Sequence, residues 1–383
     1  MHLFRWIPFL PDPVPARRCG GLFSFGSLVA GLLLNAPGAA FAAEPVPAAP
    51  RPTAPGENAH PPPNPRLTGI PFTTTWDADD YGGSPATFHI VQHPQTGFIY
   101  LGHGFGLSEY DGATWRSIPF RDGGSVSIVV IDRRGTVWLG GSNDIAALRP
   151  NSRGELQPVA VTERLPVAER TFGRLYVGAA GPDGVYFASP TTLVFFGDDG
   201  TTRSWPAGAT NFNGLCWFAG ALHASKGAAG LMRLERGAFV SVATAPRSPN
   251  PALADTLRLF GARPESGRAG ALLLTNVGPM QWSGPGAPLT PLSTAVLGEF
   301  ADESAIDAAF LPDGRMAFSF PRRGLLILAA DGAVSVRLDP AQGFPSGRIE
   351  HLAPDNQGGL WLARANGLAR LQVDSRYATQ GTF

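Results

Sequence analysis

One motif recurs seven times along the chain and limits the folds that it can adopt. A glycine that ends a turn is followed by an apolar triplet, a short polar loop and an aliphatic residue about ten positions on. The turn glycines are Gly97, Gly135, Gly184, Gly220, Gly270, Gly314 and Gly358. Their spacing of roughly 36 to 50 residues is the period of propeller blades.

Each copy reads as a short meander of antiparallel strands, and such a meander cannot bury both of its faces alone. Stacking the copies face to face around an axis buries those faces, which is the architecture of a β-propeller. The sequence therefore predicts an all-β, seven-bladed β-propeller of four-stranded antiparallel blades. The expected blade cores are 85–118, 125–160, 173–206, 213–243, 256–292, 305–338 and 346 onward.

A further alternating segment, residues 70–76, precedes the first full copy. An open ring would leave two bare strand edges, so we expect this segment to pair with the last blade and close the ring. An extra strand on the first blade is the alternative.

The N-terminal part differs in composition from the repeats. Arg17-Arg18, an apolar run at 22–34 and Ala40-Phe-Ala42 indicate a secretory signal peptide over residues 1–42, with an uncleaved anchor as the alternative. Residues 43–66 are proline-rich and lack aromatic residues, so we expect a disordered linker. The protein is then exported, periplasmic or extracellular, and tethered to the membrane if the signal segment stays uncleaved.

The remaining boundaries follow from the repeats. The propeller is expected over 67–375, followed by a tail at 376–383. This tail is either a truncated link to a further domain or the end of a free-standing propeller.

The copies resemble a known family. The stretches SIVVIDRRGTVWLGGSNDIAAL, GFIYLGHGFGLSEYDGATW and GFPSGRIEHLAPDNQGGLWLARANGLARL are similar to the two-component regulator propeller repeat. That repeat runs from a GLPs-type loop through a D-x-x-G turn and a W-[LI]-G strand to a GL-x-x-[YL] strand. The match is good in copies one, two and seven, fair in copy six and weak in copies three to five. The family's propeller is usually the periplasmic input domain of a membrane histidine kinase or related protein, so the resemblance implies a sensor with a membrane signalling output domain or partner.

Charge and cysteine content exclude some functions. The 30 basic residues balance 30 acidic ones and no basic run exceeds two residues, so a nucleic-acid partner is not expected. Cys19 lies in the predicted signal peptide, which leaves Cys216 without a disulfide partner. We expect Cys216 to be a small buried hydrophobe.

No catalytic or metal-binding set is visible. The recurring Asp and Gly residues fit turn positions, and no G-x-S-x-G elbow occurs. His89 and His93 share one face of an expected inner strand, but no further ligands stand at metal spacing, so both are expected to be core or channel histidines. The glycine-rich run 102–106 is not followed by a helix that would hold a phosphate. We therefore assign no catalytic residue, metal or cofactor.

Candidate ligand residues follow from propeller geometry. The loop that leads into a blade and the loop between its second and third strands lie on one face, where ligands usually bind, there or at the channel mouth. Aromatic, amide and guanidinium groups on these loops suit a small-molecule or glycan ligand. The candidates are Tyr81, His103, Phe105, Asn143, Asn213, Arg322, Arg348, Arg364 and Asn366, and the same loops carry Asp144, Lys226, Asn276 and Arg323. We expect Arg348 and Arg364 to hold one ligand together.

Three classes of function are compatible with these features. The prediction is an exported, non-catalytic sensor that binds a ligand in signal transduction. The alternative is a propeller enzyme of the lyase or lactonase kind, which acts on a small molecule at the central channel. A scaffold for protein assembly would instead show a broad apolar patch on one face.

Overall fold

Seven four-stranded antiparallel sheets follow one another along the chain, and the first strand of each contacts the first strand of the next. The structure is a computed structural model that describes residues 70–246, 257–265, 270–339, 344, 347–373 and 378–379. The first strands form a closed ring, since that of the last sheet contacts that of the first. This arrangement confirms the predicted seven-bladed β-propeller.

The predicted signal peptide, 1–42, and proline-rich linker, 43–66, lie outside the described residues. The two expected limits of the propeller, 67 and 375, and most of the tail at 376–383 also lie outside them.

The strands fall within the expected blade ranges. Two strands, β1 (Ile70–Pro71) and β2 (Thr73–Trp76), precede blade 1. Blade 1 comprises β3 (Thr87–Gln92), β4 (Ile99–His103), β5 (Gly106–Tyr110) and β6 (Trp115–Ile118). Blade 2 comprises β7 (Ile128–Ile131), β8 (Val137–Gly140), β9 (Ile145–Pro150) and β10 (Leu156–Ala160). Blade 3 comprises β11 (Val177–Ala180), β12 (Gly184–Ala188), β13 (Thr192–Gly197) and β14 (Thr202–Pro206).

The other blades continue in the same order. Blade 4 comprises β15 (Gly214–Phe218), β16 (Ala221–Ser225), β17 (Leu231–Glu235) and β18 (Ala238–Ala243). Blade 5 comprises β19 (Leu259–Pro264), β20 (Ala271–Thr275), β21 (Gly278–Trp282) and β22 (Leu289–Pro291). Blade 6 comprises β23 (Asp307–Phe310), β24 (Met316–Phe320), β25 (Gly324–Leu328) and β26 (Val334–Leu338). Blade 7 contains β27 (Ile349–Pro354), β28 (Gly359–Arg364) and β29 (Gly367–Gln372), and β30 (Ala378–Thr379) follows.

The fourth strand of blade 7 is β2, so the ring closes as predicted. β2 runs antiparallel to β29, with Thr73 opposite Leu371 and Trp76 opposite Leu368. β1 pairs with β30 next to it. The Trp76 ring also stacks on that of Trp361, with ring centroids 5.1 Å apart. Blade 7 is thus assembled from both ends of the propeller, and β2 is not an extra strand on blade 1.

The turn between the first two strands of a blade explains why the motif recurs. In blade 2 the carboxylate of Asp132 accepts hydrogen bonds from two backbone N–H groups of its own turn and, at 2.8 Å, from the indole N–H of Trp138. Gly135 closes the turn with a φ of 81°, which glycine adopts without steric cost. The counterparts in blade 7 are Asp355, Trp361 and Gly358.

His93 takes the place of this aspartate in blade 1. Its Nδ1 accepts hydrogen bonds from the backbone N–H groups of Gln95 and Thr96, each at 3.2 Å. Its Nε2 lies 2.8 Å from the carbonyl oxygen of Gly135 in blade 2. His93 is therefore a turn residue that also links two blades, and it does not face the channel with His89.

Apolar side chains fill the spaces between neighbouring blades. Between blades 2 and 3, for example, Trp138 and Ile145 pack with Phe187 and Phe196 in one buried cluster. Cys216 packs against the cluster between blades 4 and 5, and burial raises the pKa of its thiol to about 11. Such a thiol stays protonated at neutral pH, in keeping with the expected apolar role.

Besides short 3₁₀ turns, the described residues contain one α-helix. Helix α1 (Thr294–Glu299) lies between blades 5 and 6, and the Phe300 ring after it packs 5.0 Å from that of Phe318. None of the helices within the described ranges is long and apolar enough to cross a bilayer.

Candidate functional site

The central channel opens into a cavity of about 130 Å³ near the beginning of the innermost strands. Every blade contributes to its lining, because every first strand begins there. The lining residues are Phe88, His89, Ile128, Tyr176, Val177, Gly178, Asn213, Leu215, Arg258, Leu259, Phe260, Ile306, Asp307, Glu350 and His351. We call this region the channel mouth.

The channel mouth lies on the face that the sequence predicted. Ala365, in the loop between the second and third strands of blade 7, donates its backbone N–H to the carbonyl of Arg348, which leads into that blade. In blade 1, Gly104 makes the equivalent bond to Ala86. Both kinds of loop therefore surround the beginning of the inner strands.

Two imidazoles face each other at the channel mouth. The rings of His89 and His351, from the neighbouring blades 1 and 7, have centroids 3.7 Å apart and planes inclined by 34°. Nδ1 of His351 accepts a hydrogen bond from the backbone N–H of Ile90 at 3.4 Å, so the proton of the neutral ring is on Nε2. Nδ1 of His89 is buried and has no hydrogen-bond partner among the described residues.

Burial keeps this pair of imidazoles neutral. It lowers the pKa of His89 well below 6.5, and the neighbouring His351 lowers it further. It also lowers the pKa of His351, although the neighbouring Asp307 partly opposes that change. At neutral pH the pair therefore carries no charge and can both donate and accept hydrogen bonds.

Two carboxylates lie beside the imidazoles. Oδ2 of Asp307 accepts a hydrogen bond from the backbone N–H of Leu352 at 2.7 Å and lies 3.8 Å from Nε2 of His351. Burial raises the pKa of Asp307, while His351 and Arg258 oppose that rise. Glu350 is paired with Arg348 at 3.0 Å, so its charge is compensated.

One guanidinium group lines the channel mouth and another lies over the ring of one of its lining residues. That of Arg258 lies 5.5 Å from the Phe260 ring, and that of Arg174 lies 4.3 Å from the Phe88 ring. Neither group has a hydrogen bond or an ion pair with any residue that the structure describes. The backbone of Arg258 is held by Asn276, whose Oδ1 accepts its N–H at 2.8 Å.

Most of the predicted ligand residues lie elsewhere, and three of them are buried. Tyr81 donates its hydroxyl to the carbonyl of Ser84 at 2.8 Å. His103 contacts the Ser108 hydroxyl through Nε2 at 2.9 Å, and burial lowers its pKa to about 4. Arg364 is only 7% exposed, so it does not share an exposed surface with Arg348. His103 and Arg364 are buried because they end strands β4 and β28, all of whose residues are buried.

The exposed candidates do not line the cavity, and some of them make hydrogen bonds elsewhere. Oδ1 of Asn143 accepts the Gly173 N–H at 2.6 Å, and the Arg322 N–H donates to Glu303 at 2.7 Å. Phe105 is 64% exposed at a loop tip, and Asn366 is exposed beside Gly347. Asn213 alone among the nine candidates lines the channel mouth, and Arg348 reaches it through Glu350.

The other loop residues that were named from the sequence make hydrogen bonds within the propeller. Lys226 donates from Nζ to the carbonyl of Ala207 at 2.6 Å, and Asp144 accepts from the Thr162 hydroxyl at 3.0 Å. Arg323 donates to Glu303 at 3.1 Å.

Apart from His89 and Asn213, the residues that line the channel were not identified from the sequence, although their positions follow a regular spacing. The residue seven positions before the turn glycine lines the channel in five blades, and in blade 1 the distance is eight. The shared position follows from the constant length of the first strand and its turn. Its occupants are His89, Ile128, Val177, Asn213, Asp307 and His351.

Larger grooves lie away from the channel mouth. One of about 580 Å³ between blades 3 and 4 contains Tyr186 and Trp205, and its Asp198 is paired with Arg134 at 3.0 Å. Another of about 340 Å³ lies at the ring closure and contains Trp361 and Arg370. Within the described ranges no group of three or more His, Cys, Asp or Glu residues has metal-binding geometry. The buried unpartnered nitrogen makes the channel mouth the strongest candidate site.

Solved structures share this fold. The extracellular domain of a hybrid two-component system from B. thetaiotaomicron superposes with a TM-score of 0.59 at 14% identity, over 79% of this chain and 40% of that domain. A second such domain from B. thetaiotaomicron gives a TM-score of 0.52 at 12% identity, over 79% and 42%. Virginiamycin B lyase from Staphylococcus aureus gives 0.58 at 12% identity, over 78% of this chain and 98% of the lyase.

These likenesses are to the propeller architecture. No family model and no curated protein sequence matches the chain. The chain spans about two fifths of the length of the two-component domains and nearly the whole length of the lyase.

Proposed function

We propose that this chain is the sensor propeller of an exported signalling protein and that it binds a small polar ligand at the channel mouth without converting it. The fold supports this proposal, since extracellular domains of two-component systems share it. The repeats resemble the same class of input domain. Export would follow from the signal peptide expected over residues 1–42, and the output would come from a membrane signalling domain or partner.

The buried Nδ1 of His89 is the observation that carries the choice of site. A buried polar atom without a partner costs about 1–3 kcal/mol. Several such atoms occur among the described residues, and that of His89 is the one whose residue lines the channel mouth. The nitrogen stands in a cavity that also holds an unpaired guanidinium, an amide and a second imidazole. A ligand with donors and acceptors would satisfy these groups together.

A thermal-shift screen of organic acids, sugars and glycan fragments tests the site. We expect hits whose binding to Arg258→Ala is weakened at least tenfold, because this variant removes the unpaired guanidinium. Arg153→Ala is the matched control, since Arg153 is exposed on a loop at the opposite face. Hits that bind both variants equally would place the site elsewhere.

An enzyme is the alternative function. A lyase shares the fold over nearly its full length, and His351 with Asp307 at 3.8 Å offers an imidazole next to a carboxylate. Each hit should therefore be incubated with the protein and analysed for products. Recovery of the unchanged ligand supports the sensor, whereas turnover at enzyme-like rates, lost in His351→Gln, would establish the enzyme.

A further inference from the structure

The lining of the channel mouth is divided into a charged part and an apolar part. Phe88, Ile128, Val177, Leu215 and Ile306 are among its apolar residues. The polar groups come mainly from blades 1, 5, 6 and 7. A ligand that complements both parts has one polar end and an aliphatic body. The cavity of about 130 Å³ is well below the roughly 300–1,000 Å³ of drug-sized pockets, so the ligand is small.

The charges favour an anionic end. The guanidinium groups of Arg258 and Arg174 have no partners among the described residues, while Arg348 compensates Glu350. The carboxyl of Asp307 accepts a backbone N–H, and its burial favours the protonated form. An unpaired guanidinium binds a carboxylate with two parallel hydrogen bonds, which a neutral amide cannot reproduce.

The imidazole pair can take up a proton, and a bound anion would stabilise the resulting imidazolium. Without a bound anion, a charged imidazole would lie 3.7 Å from a second ring in a partly buried site, so both rings stay neutral. A carboxylate in the cavity supplies the opposite charge and an acceptor for an imidazolium N–H. The titratable and charged groups that face the pair or line the same mouth are Asp307, Glu350, Arg258, Arg348, Arg174 and Tyr176.

Resting on the proposed function, we propose that the channel mouth binds the carboxylate of a short aliphatic monocarboxylic acid between Arg258 and the His89–His351 pair, with uptake of one proton by that pair. The aliphatic body of the acid would contact Ile128, Val177 and Leu215. The proton comes from solvent, and no covalent bond is made or broken.

The sign of the pH dependence follows from linkage. The complex binds one more proton than the free protein and free carboxylate, so a higher proton concentration favours the complex. Affinity therefore falls as the pH rises, by close to tenfold per pH unit over the range in which the free pair is neutral and the bound pair is charged. Binding without proton uptake would show no such slope.

Butyrate is the probe, and titration calorimetry with the full chain is the test. We expect butyrate to bind close to tenfold more weakly at about pH 7 than at about pH 6. Titrations in two buffers of different ionisation enthalpy should report uptake of about one proton per butyrate. Butyramide, which has nearly the same shape without the charge, should bind at least tenfold more weakly, and butylammonium should not bind.

Variants identify the groups. The double variant His89→Gln/His351→Gln should bind butyrate with an affinity that changes less than twofold between these pH values, and Arg258→Ala should lose at least tenfold at both. Arg153→Ala should match the wild type. The wild-type measurements alone decide the matter if the double variant does not fold.

Three results would overturn the proposal: equal binding of butyramide, an affinity for butyrate independent of pH, or no binding of butyrate at about pH 6. In the last case, a different ligand whose binding depends on Arg258 would leave the sensor function standing. If a wider screen finds no ligand that binds at the channel mouth, the carboxylate proposal and the sensor function are both contradicted.

Discussion

Asp355 shows how much one turn residue contributes to a blade. Its Oδ1 accepts the backbone N–H groups of Gln357 and Gly359, and its Oδ2 accepts the indole N–H of Trp361 at 2.9 Å and Nε of Arg370 at 2.6 Å. Burial alone would raise the pKa of Asp355, but the hydrogen bonds from Arg370 and Gly359 bring it below its usual value. The D-x-x-G turn thus supports a blade, which agrees with the structural role expected for the recurring aspartates.

Asp355→Ala should lower the free energy of unfolding by about 2–4 kcal/mol, because it leaves buried donors and a guanidinium without their acceptor. Asp331→Ala is the control: Asp331 is exposed, accepts one backbone N–H in an outer hairpin turn, and should cost below about 1 kcal/mol. Urea denaturation of both variants measures the difference. Equal losses would contradict the role of the buried network.

Buried histidines make the stability depend on pH. Burial lowers the pKa of both His103 and His223 to about 4. The unfolded chain takes up a proton below its ordinary value of about 6.5 while the folded chain does not, so stability is full above that pH and is lost as the pH falls towards 4.

The melting midpoint should therefore drop between about pH 7 and pH 5, each histidine contributing at most about 1.4 kcal/mol per pH unit. His223→Leu replaces a buried imidazole whose Nε2 has no partner, and it should reduce that slope by one histidine's share. A midpoint that is constant or rises on acidification would show that these imidazoles become protonated in the folded state.

The strands could largely be predicted from the sequence, whereas helix α1 could not. A turn glycine followed by an apolar triplet sets the register of a blade, because only one register buries the apolar side chains. The same reasoning identified β2 as the closing strand, since an unpaired edge is unfavourable. Helix α1 could not be predicted from the repeats, because it belongs to none of them. Its Glu299 forms an ion pair with Arg337, which is distant in the sequence.

Ring closure leads to a prediction about truncation. Deleting residues 43–77 removes β2, together with Trp76, whose ring packs on Trp361, and should cause aggregation or loss of cooperative unfolding. Deleting residues 43–66 alone leaves every described strand in place and should keep a cooperative transition. Light scattering and thermal melts compare the two deletions, and the same behaviour in both would contradict closure by β2.

At the scale of the whole molecule, the ring brings together residues that are distant in the sequence. His89 and His351 are in contact because blade 1 is the neighbour of blade 7. The face of the site was predictable from the order of strands. The residues were not, because a loop side chain such as Tyr81 turns inward to pack while a strand position such as Asp307 faces the channel. Arg258 comes from blade 5, the blade whose first hairpin departs from the common length.

If the channel mouth binds a ligand without converting it, a crystal structure of the protein with the strongest hit of the screen should show that ligand intact. We expect it on the propeller axis, with a polar group within about 3.2 Å of His89 or of the Arg258 guanidinium. A ligand bound in the groove beside Trp205, or a cleaved product at the channel mouth, would contradict this expectation.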